Sequence, residues 1–375
     1  MKRHSIGRLI AAAALAAILL PAAANAQAMI KVNDDVWFRF GMQLQGWGDW
    51  LQSATTRGYA ENLYLRRDRF QVAGSVAPGV TFFFQTDDPN LGKAPKALTA
   101  GFVVQDAWAE WKLADGFAID FGKFLVPFSR NELQSTVSFM TLDISPTSTV
   151  FLAPTATDAT RDTGFELKGY LIGAGQLEYR YALMQGVRQV DSRNGFRNSA
   201  YLQYNLFDVE KGYVYAGTNL GKKKIVNVSA GYDGQNAYHA YSGDLFWNLP
   251  VAAGDEFAGQ LQWTHWDGGH ANPPQPAGCG GCFTLISALP RQNDYLVELA
   301  YYISAAKFQP FGKWEQQKFV ADNLKKNDVT RWGVGAHYYV FGQNLKLTGQ
   351  YLRIKPKAPI KDTNEFTFAM QVWYF

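Results

Sequence analysis

Arg67, Arg69 and Gln71 fall at alternate positions, with Phe70 and Val72 between and after them. In an extended chain successive side chains point to opposite sides, so one face carries two guanidiniums and an amide while the other is oily. A guanidinium stays charged at any physiological pH and matches the geometry of carboxylate and phosphate, so the chemistry on offer is attraction of anions. Arg39 stands on a similar polar face with Gly41, Gln43 and Gln45, and Lys123 and Arg130 flank the start of a long connection. Arg39, Arg67, Arg69, Lys123 and Arg130 are therefore the candidate pore-constriction and anion-binding residues. The competing reading is that they pair with carboxylates in a nearly neutral wall. Glu110 with Lys112, Glu166 with Lys168 and Glu178 with Arg180 are same-face neighbours of that kind. Arg66 and Asp68 fall on the opposite face by parity, unless a bulge inserts one residue and flips it.

Catalytic constellations are missing. No nucleophile elbow, phosphate loop or zinc-protease motif occurs. Beyond the first 26 residues the histidines are His239, His265, His270 and His337, without a supported serine partner. Neither an enzyme nor a cofactor is expected. Cys279 and Cys282 are separated by two glycines. A metal site needs more ligands than they and the nearby His265 and His270 supply, so a disulfide stapling a loop tip is the expectation, and no metal.

The elements that hold these residues read as strands. Val36, Phe38, Phe40, Met42 and Leu44 alternate with polar or small residues, and the same pattern recurs around Phe117–Phe121, Phe165–Leu171, Leu177–Leu183, Phe257–Trp263, Tyr295–Ile303, Trp332–Val340 and Phe366–Val372. Tight turns occur at Ala77-Pro78-Gly79, Ala114-Asp115-Gly116, Gly173-Ala174-Gly175, Ser304-Ala305-Ala306 and Gly342-Gln343. They alternate with long connections at 52–61, 88–101, 124–160, 186–197, 267–292, 320–328 and 356–363. Keeping all long connections on one side requires 198–220 to be one interrupted strand, broken at Asp208-Val209-Glu210-Lys211-Gly212. The fold expected is all-β: a transmembrane antiparallel β-barrel of 16 strands, with 18 the alternative count. The connection 124–160 holds Phe128, Phe139, Met140, Leu142, Ile144, Phe151 and Leu152, too oily to sit in water without cost, so an inward-folded constriction loop is predicted.

Lys2, Arg3 and Arg8 precede an apolar run, and Ala24-Asn25-Ala26 fits a cleavage site. Residues 1–26 are expected to be a signal peptide and 27–375 a single barrel domain. Removing three of the 36 basic residues and none of the 32 acidic ones leaves the exported chain at about +1, so net charge names no nucleic-acid or other polyanion partner. No stretch past the signal is long and apolar enough for a membrane helix, whereas a barrel strand shows only alternate side chains to lipid. The aromatic content of 15% suits girdles at two lipid–water interfaces. It also suits a secreted β-sandwich, the main structural rival. The terminal Phe375 is aromatic but lies out of step with the apolar face of Phe366, Phe368, Met370 and Val372.

Five segments resemble the phosphate-selective porin O and P family. They are Leu65-Arg66-Arg67-Asp68-Arg69-Phe70, Gly122-Lys123-Phe124-Leu125-Val126-Pro127-Phe128 with Glu132, Arg161-Asp162-Thr163-Gly164, Tyr204-Asn205-Leu206-Phe207-Asp208, and Gly217 to Lys224 with its lysine triplet. The resemblance runs from about residue 37 to the end, and rests on the order and spacing of the five. It implies a sixteen-stranded, usually trimeric outer-membrane porin that passes small anions through a basic constriction. The expected partners are small hydrophilic solutes, outer-membrane lipid and two further copies of the chain. A structural or docking barrel without channel activity is the alternative.

Overall fold

The computed structural model describes residues 29–375 except 94–97, 99–100, 147–159, 187–194, 269–289 and 358, and the side chain of 253. The expected signal peptide and the Cys279–Cys282 pair lie outside the described residues. The alternating segments form strands because hydrocarbon offers the backbone no partners; each strand must hydrogen-bond to its neighbours, and only a closed sheet leaves no edge.

A short β1 (Met29–Lys31) folds back on the start of β2 (Trp37–Gln52). There follow β3 (Tyr59–Ala77), β4 (Val80–Asp87), β5 (Val103–Ala114), β6 (Phe117–Leu125), β7 (Arg161–Leu171), β8 (Leu177–Met184), β9 (Arg197–Asn205), β10 (Ile225–Gln235), β11 (Tyr238–Pro250), β12 (Glu256–Asp267), β13 (Gln292–Tyr302), β14 (Phe308–Phe319), β15 (Val329–Phe341), β16 (Leu345–Pro356) and β17 (Thr363–Tyr374). Every consecutive pair from β2 on is antiparallel, and β17 closes on β2 with Glu365 opposite Leu51 and Tyr374 opposite Met42. The closed cylinder therefore has sixteen strands.

Parity assigns the two faces. Phe40, Phe70, Phe84, Phe121, Phe165, Leu202, Val228, Leu261, Leu299, Val334 and Phe368 are exposed on the outside. Their neighbours Gln43, Gln71, Gln85, Asp120, Glu166, Gln203, Ser229, Gln260, Glu298 and His337 are buried inside. An apolar exterior on a polar interior is the inverse of a water-soluble barrel, and it suits lipid. Most short turns gather at one rim, several closed by a left-handed residue such as Gly79 (φ 73°) or Lys307 (φ 51°); the other rim carries the long connections except 206–224, together with the two-residue turn between β10 and β11.

Two local departures matter. Between Gln45 and Gly46 of β2 the partner register skips Arg66, a bulge that turns Arg66 and Tyr64 to the same side as Arg67 and Arg69. The expected continuation of a strand through 213–220 is not found: β9 ends at Asn205, and only Leu206 and Asp208 extend its ladder, bonding to Val226 and Lys224. Residues 206–224 instead make a long connection at the short-turn rim. Lys222 and Lys223 are exposed there, and the Lys224 amine lies 3.9 Å from the Phe207 ring centre.

Candidate functional site

Two irregular segments pack on the lumenal face of the wall. The first is 126–146. Pro127, which has no N–H to give a ladder, ends β6, and Val126, Phe128, Leu133, Phe139 and Met140 are buried. Irregular backbone away from water needs partners for its carbonyls, and lumenal side chains supply them. Ser199 Oγ donates to the Pro127 carbonyl (2.8 Å) and Ser242 Oγ to Phe128 (2.6 Å). Gln45 Nε2 donates to Thr136 (3.2 Å), Lys346 Nζ to Val137 (2.9 Å) and Lys313 Nζ to Asp143 (3.2 Å). The Thr348 hydroxyl donates to Nδ1 of His337 (2.8 Å), which leaves Nε2–H to donate to the Met140 carbonyl at 3.1 Å. On β10 a side chain in place of Gly231 would overlap the Phe128 carbonyl, so only glycine admits this approach.

The second segment, 206–224, enters from the opposite rim and meets the first. Tyr215 donates its N–H to Leu133 (2.9 Å) and accepts from Ser135 (2.8 Å), a two-bond ladder that forms a parallel bridge with Gln134. Arg130 grips Glu210 with both nitrogens (2.5 and 3.1 Å), donates to the Ala216 carbonyl (3.0 Å), and lies 3.5 Å above the Phe246 ring. Asn227 donates to the same carboxylate at 2.8 Å. Thr218 and the Asn219 and Gly221 amides all donate to Glu256. With both partners of the Arg130–Glu210 pair buried, removing one strands the other. Arg130→Met is therefore expected to lower unfolding stability by about 3–5 kcal/mol, and Arg130→Met with Glu210→Gln to regain most of it. Urea titration of the heat-shifted gel band measures both.

The arginines stand on the facing wall. Arg66 and Arg67 share Asp143, at 2.9 and 2.6 Å. Arg67 also donates to Gln45 (2.6 Å), and Arg69 to Asp87 (2.8 Å) and Thr136 Oγ1 (3.0 Å). Arg161 pairs with Asp106 at 3.2 Å. Arg39 has no carboxylate side chain as partner among the described residues; its guanidinium lies 4.1 Å above the Phe375 ring centre. Burial alone would push the Asp143 carboxyl up, but Arg66 and Arg67 outweigh burial and hold it below the usual carboxylate range. A carboxyl lowered by folding adds stability above its unfolded value and loses it as pH falls towards the folded one. The Asp143 anchor is thus expected to hold from pH 7 down through about pH 4 and to loosen only in stronger acid. If the conductance difference between Asp143→Asn and the parent chain vanished already at pH 6, that would contradict this.

Between the segments and β2–β5 an open space of about 780 Å³ remains. It is lined by Arg39, Arg66, Arg67, Arg69, Gln71, Asp87, Asp106, Glu132 and Arg161, and also by Phe83, Trp108, Tyr213 and Phe375. With Asp143, five arginines face four carboxylates. Further round, the charges are paired within the wall: Lys168 with Glu110 and Asp120, Arg180 with Glu178, Arg197 with Asp162 and Asp233.

Of the residues singled out in the sequence, Arg39, Arg67 and Arg69 come together along this space. Lys123 and Arg130 do not join them. Lys123 shares parity with the outward Phe117 and Phe121 and reaches the Val104 carbonyl at 2.7 Å. Arg130 is enclosed with Glu210. Sequence reasoning missed Asp87, Asp143, Phe83 and Tyr213, and brought Arg66 to this side only through the alternative of a bulge. The alternation of Thr81, Phe83, Gln85 and Asp87 could have revealed two of them; Asp143 sits in irregular chain and gives no periodic signal.

Comparison with known proteins places this arrangement. The phosphate-selective porin O and P family matches over residues 38–171, which include β2–β7 and the 126–146 segment. No curated protein sequence matches the chain. The fold is similar to that of an anion-selective porin from Comamonas acidovorans (TM-score 0.60, 12% identity, 90% of this chain and 99% of that one). It is similar also to OmpT of Vibrio cholerae in its trimer form (TM-score 0.55, 11% identity, 91% and 100%). The outer membrane channel DcaP of Acinetobacter baumannii is a third (TM-score 0.56, 8% identity, 92% and 99%).

Proposed function

We propose that this chain is an outer-membrane porin: a water-filled channel for passive diffusion of small solutes, with a preference for anions. The observation that carries the reading is the open space beside β2–β5, flanked on one wall by Arg39, Arg66, Arg67 and Arg69. Segments 126–146 and 206–224 pack against the lumenal wall and each other, so solute passes off-centre, close to the guanidiniums. An excess of one arginine over carboxylates, focused by low-dielectric walls, favours anions modestly. Arg67 and Arg69 are the principal contacts and Arg39 guards the short-turn rim. Phosphate-like ions are the class that the matching family's name suggests.

Several further points belong to the same reading. Residues 1–26 direct export and are removed, leaving 27–375 as the barrel. The apolar exterior faces outer-membrane lipid, with the long connections outside the cell. The trimer form of a similar barrel supports a homotrimer. Cys279 and Cys282 form a disulfide. Chemistry on the solute has no part in the mechanism.

The test is the reversal potential across a planar bilayer separating two KCl concentrations. The reading predicts the sign of an anion-preferring pore. The opposite sign overturns the preference, and silence from correctly folded protein favours a docking barrel instead.

A further inference from the structure

The lining of the passage is not what a pore for inorganic ions needs. Phe83 occupies a lumenal position of β4, between Thr81 and Gln85, where alternation calls for a polar residue. Its ring lies 5.9 Å from Phe375, 5.9 Å from Trp108 and 6.0 Å from Tyr213, and Trp108 lies 4.7 Å from Tyr213. All four rings border the open space and are only part-buried. They make a continuous aromatic strip from the level of the Arg161–Asp106 pair towards the short-turn rim. The strip is held in place: the Tyr213 hydroxyl donates to Asp106 (2.5 Å) and accepts the Leu125 N–H (2.8 Å). Leaving apolar rings against water is unfavourable unless something flat covers them.

Beside the strip stands a cation without a side-chain counter-charge among the described residues. Arg39 covers Phe375, and its Nε has no acceptor among the described residues; nor has the indole N–H of Trp108. Arg69 lies deeper along the same wall, so an anionic group leaving Arg39 meets a second guanidinium.

We propose that the preferred solutes are planar aromatic monocarboxylates. The inference rests on the channel reading above and names its solute class. The flat ring lies against Phe375, Phe83, Trp108 and Tyr213 while the carboxylate is passed between Arg39 and Arg69. Inorganic phosphate gains nothing from the strip, and a neutral sugar gains nothing from Arg39. A space of about 780 Å³ is within the range of small-molecule sites, and an aromatic strip with guanidiniums alongside suits an organic anion.

The experiment uses the full chain in planar bilayers carrying KCl current. Benzoate is the probe, cyclohexanecarboxylate the control of equal charge but without a flat π face, and inorganic phosphate the simple anion. Benzoate is expected to interrupt the current at about tenfold lower concentration than either control. Phe83→Leu, which keeps bulk but loses the ring, should abolish that gap, and Trp108→Phe should leave most of it. Arg39→Gln should weaken both carboxylates alike. The inference fails if phosphate interrupts as well as benzoate, if cyclohexanecarboxylate does, or if the gap survives Phe83→Leu. Each of those outcomes leaves the KCl steps, and so the channel reading, intact; absence of KCl steps removes both.

Discussion

Replacing residues 129–145 by a short Gly/Ser linker is expected to raise single-channel conductance roughly threefold or more, because a sixteen-stranded cylinder encloses far more area than the passage left open here. The deletion removes Leu133, Val137, Phe139 and Met140 from the bore and frees the lumenal donors Gln45, Lys313, His337 and Lys346, which water can then satisfy. It also strands Glu210, so Glu210→Gln should accompany it. Segment 206–224 stays anchored through Glu256, which takes bonds from Thr218, Asn219 and Gly221. The increase is therefore large without reaching that of an empty bore. Unchanged conductance would mean that the 126–146 segment does not set the width.

The second large effect is on selectivity. Arg67→Glu with Arg69→Glu turns five arginines against four carboxylates into three against six, and the reversal potential in a KCl gradient is expected to change sign. Arg67→Gln with Arg69→Gln gives three against four and should bring the preference close to neutral. Lys123 supplies an internal control. Its amine bonds the Val104 carbonyl on the outer face, so Lys123→Gln should leave the potential where it was. If the Glu pair leaves the sign unaltered, selectivity is set elsewhere along the pore.

The barrel was legible because lipid and water impose a period of two on every strand. Arg67 and Arg69 were placed correctly by that rule alone. Parity also separated Phe375 from the apolar face of β17, and the ring does stand in the lumen, beneath Arg39 and against Phe83. Where the reading failed, one residue or one partner decided. The bulge at Arg66 adds a single residue without changing composition, so nothing in the sequence marks it. Tyr213-Val214-Tyr215 alternates like a wall strand, but its ladder partner is the 133–135 stretch inside the bore. Periodicity reports an extended chain, not the partner it pairs with. Lys123 was grouped with the arginines because it precedes the long loop, although its parity with Phe117 and Phe121 already pointed outwards. Asp143 and Glu210, which fix the two segments, lie in irregular chain and became visible only with the fold.

The account depends on water and solute passing between the arginine wall and the two inserted segments. Gln71 lines that space, and its neighbour Phe70 faces outwards. The direct measurement is current through Gln71→Cys and Phe70→Cys channels while a charged thiol reagent is added, with the parent chain as baseline. Stepwise loss of current at position 71, with none at position 70, is predicted. Complete labelling at position 71, verified by mass, with the current unchanged would contradict the account.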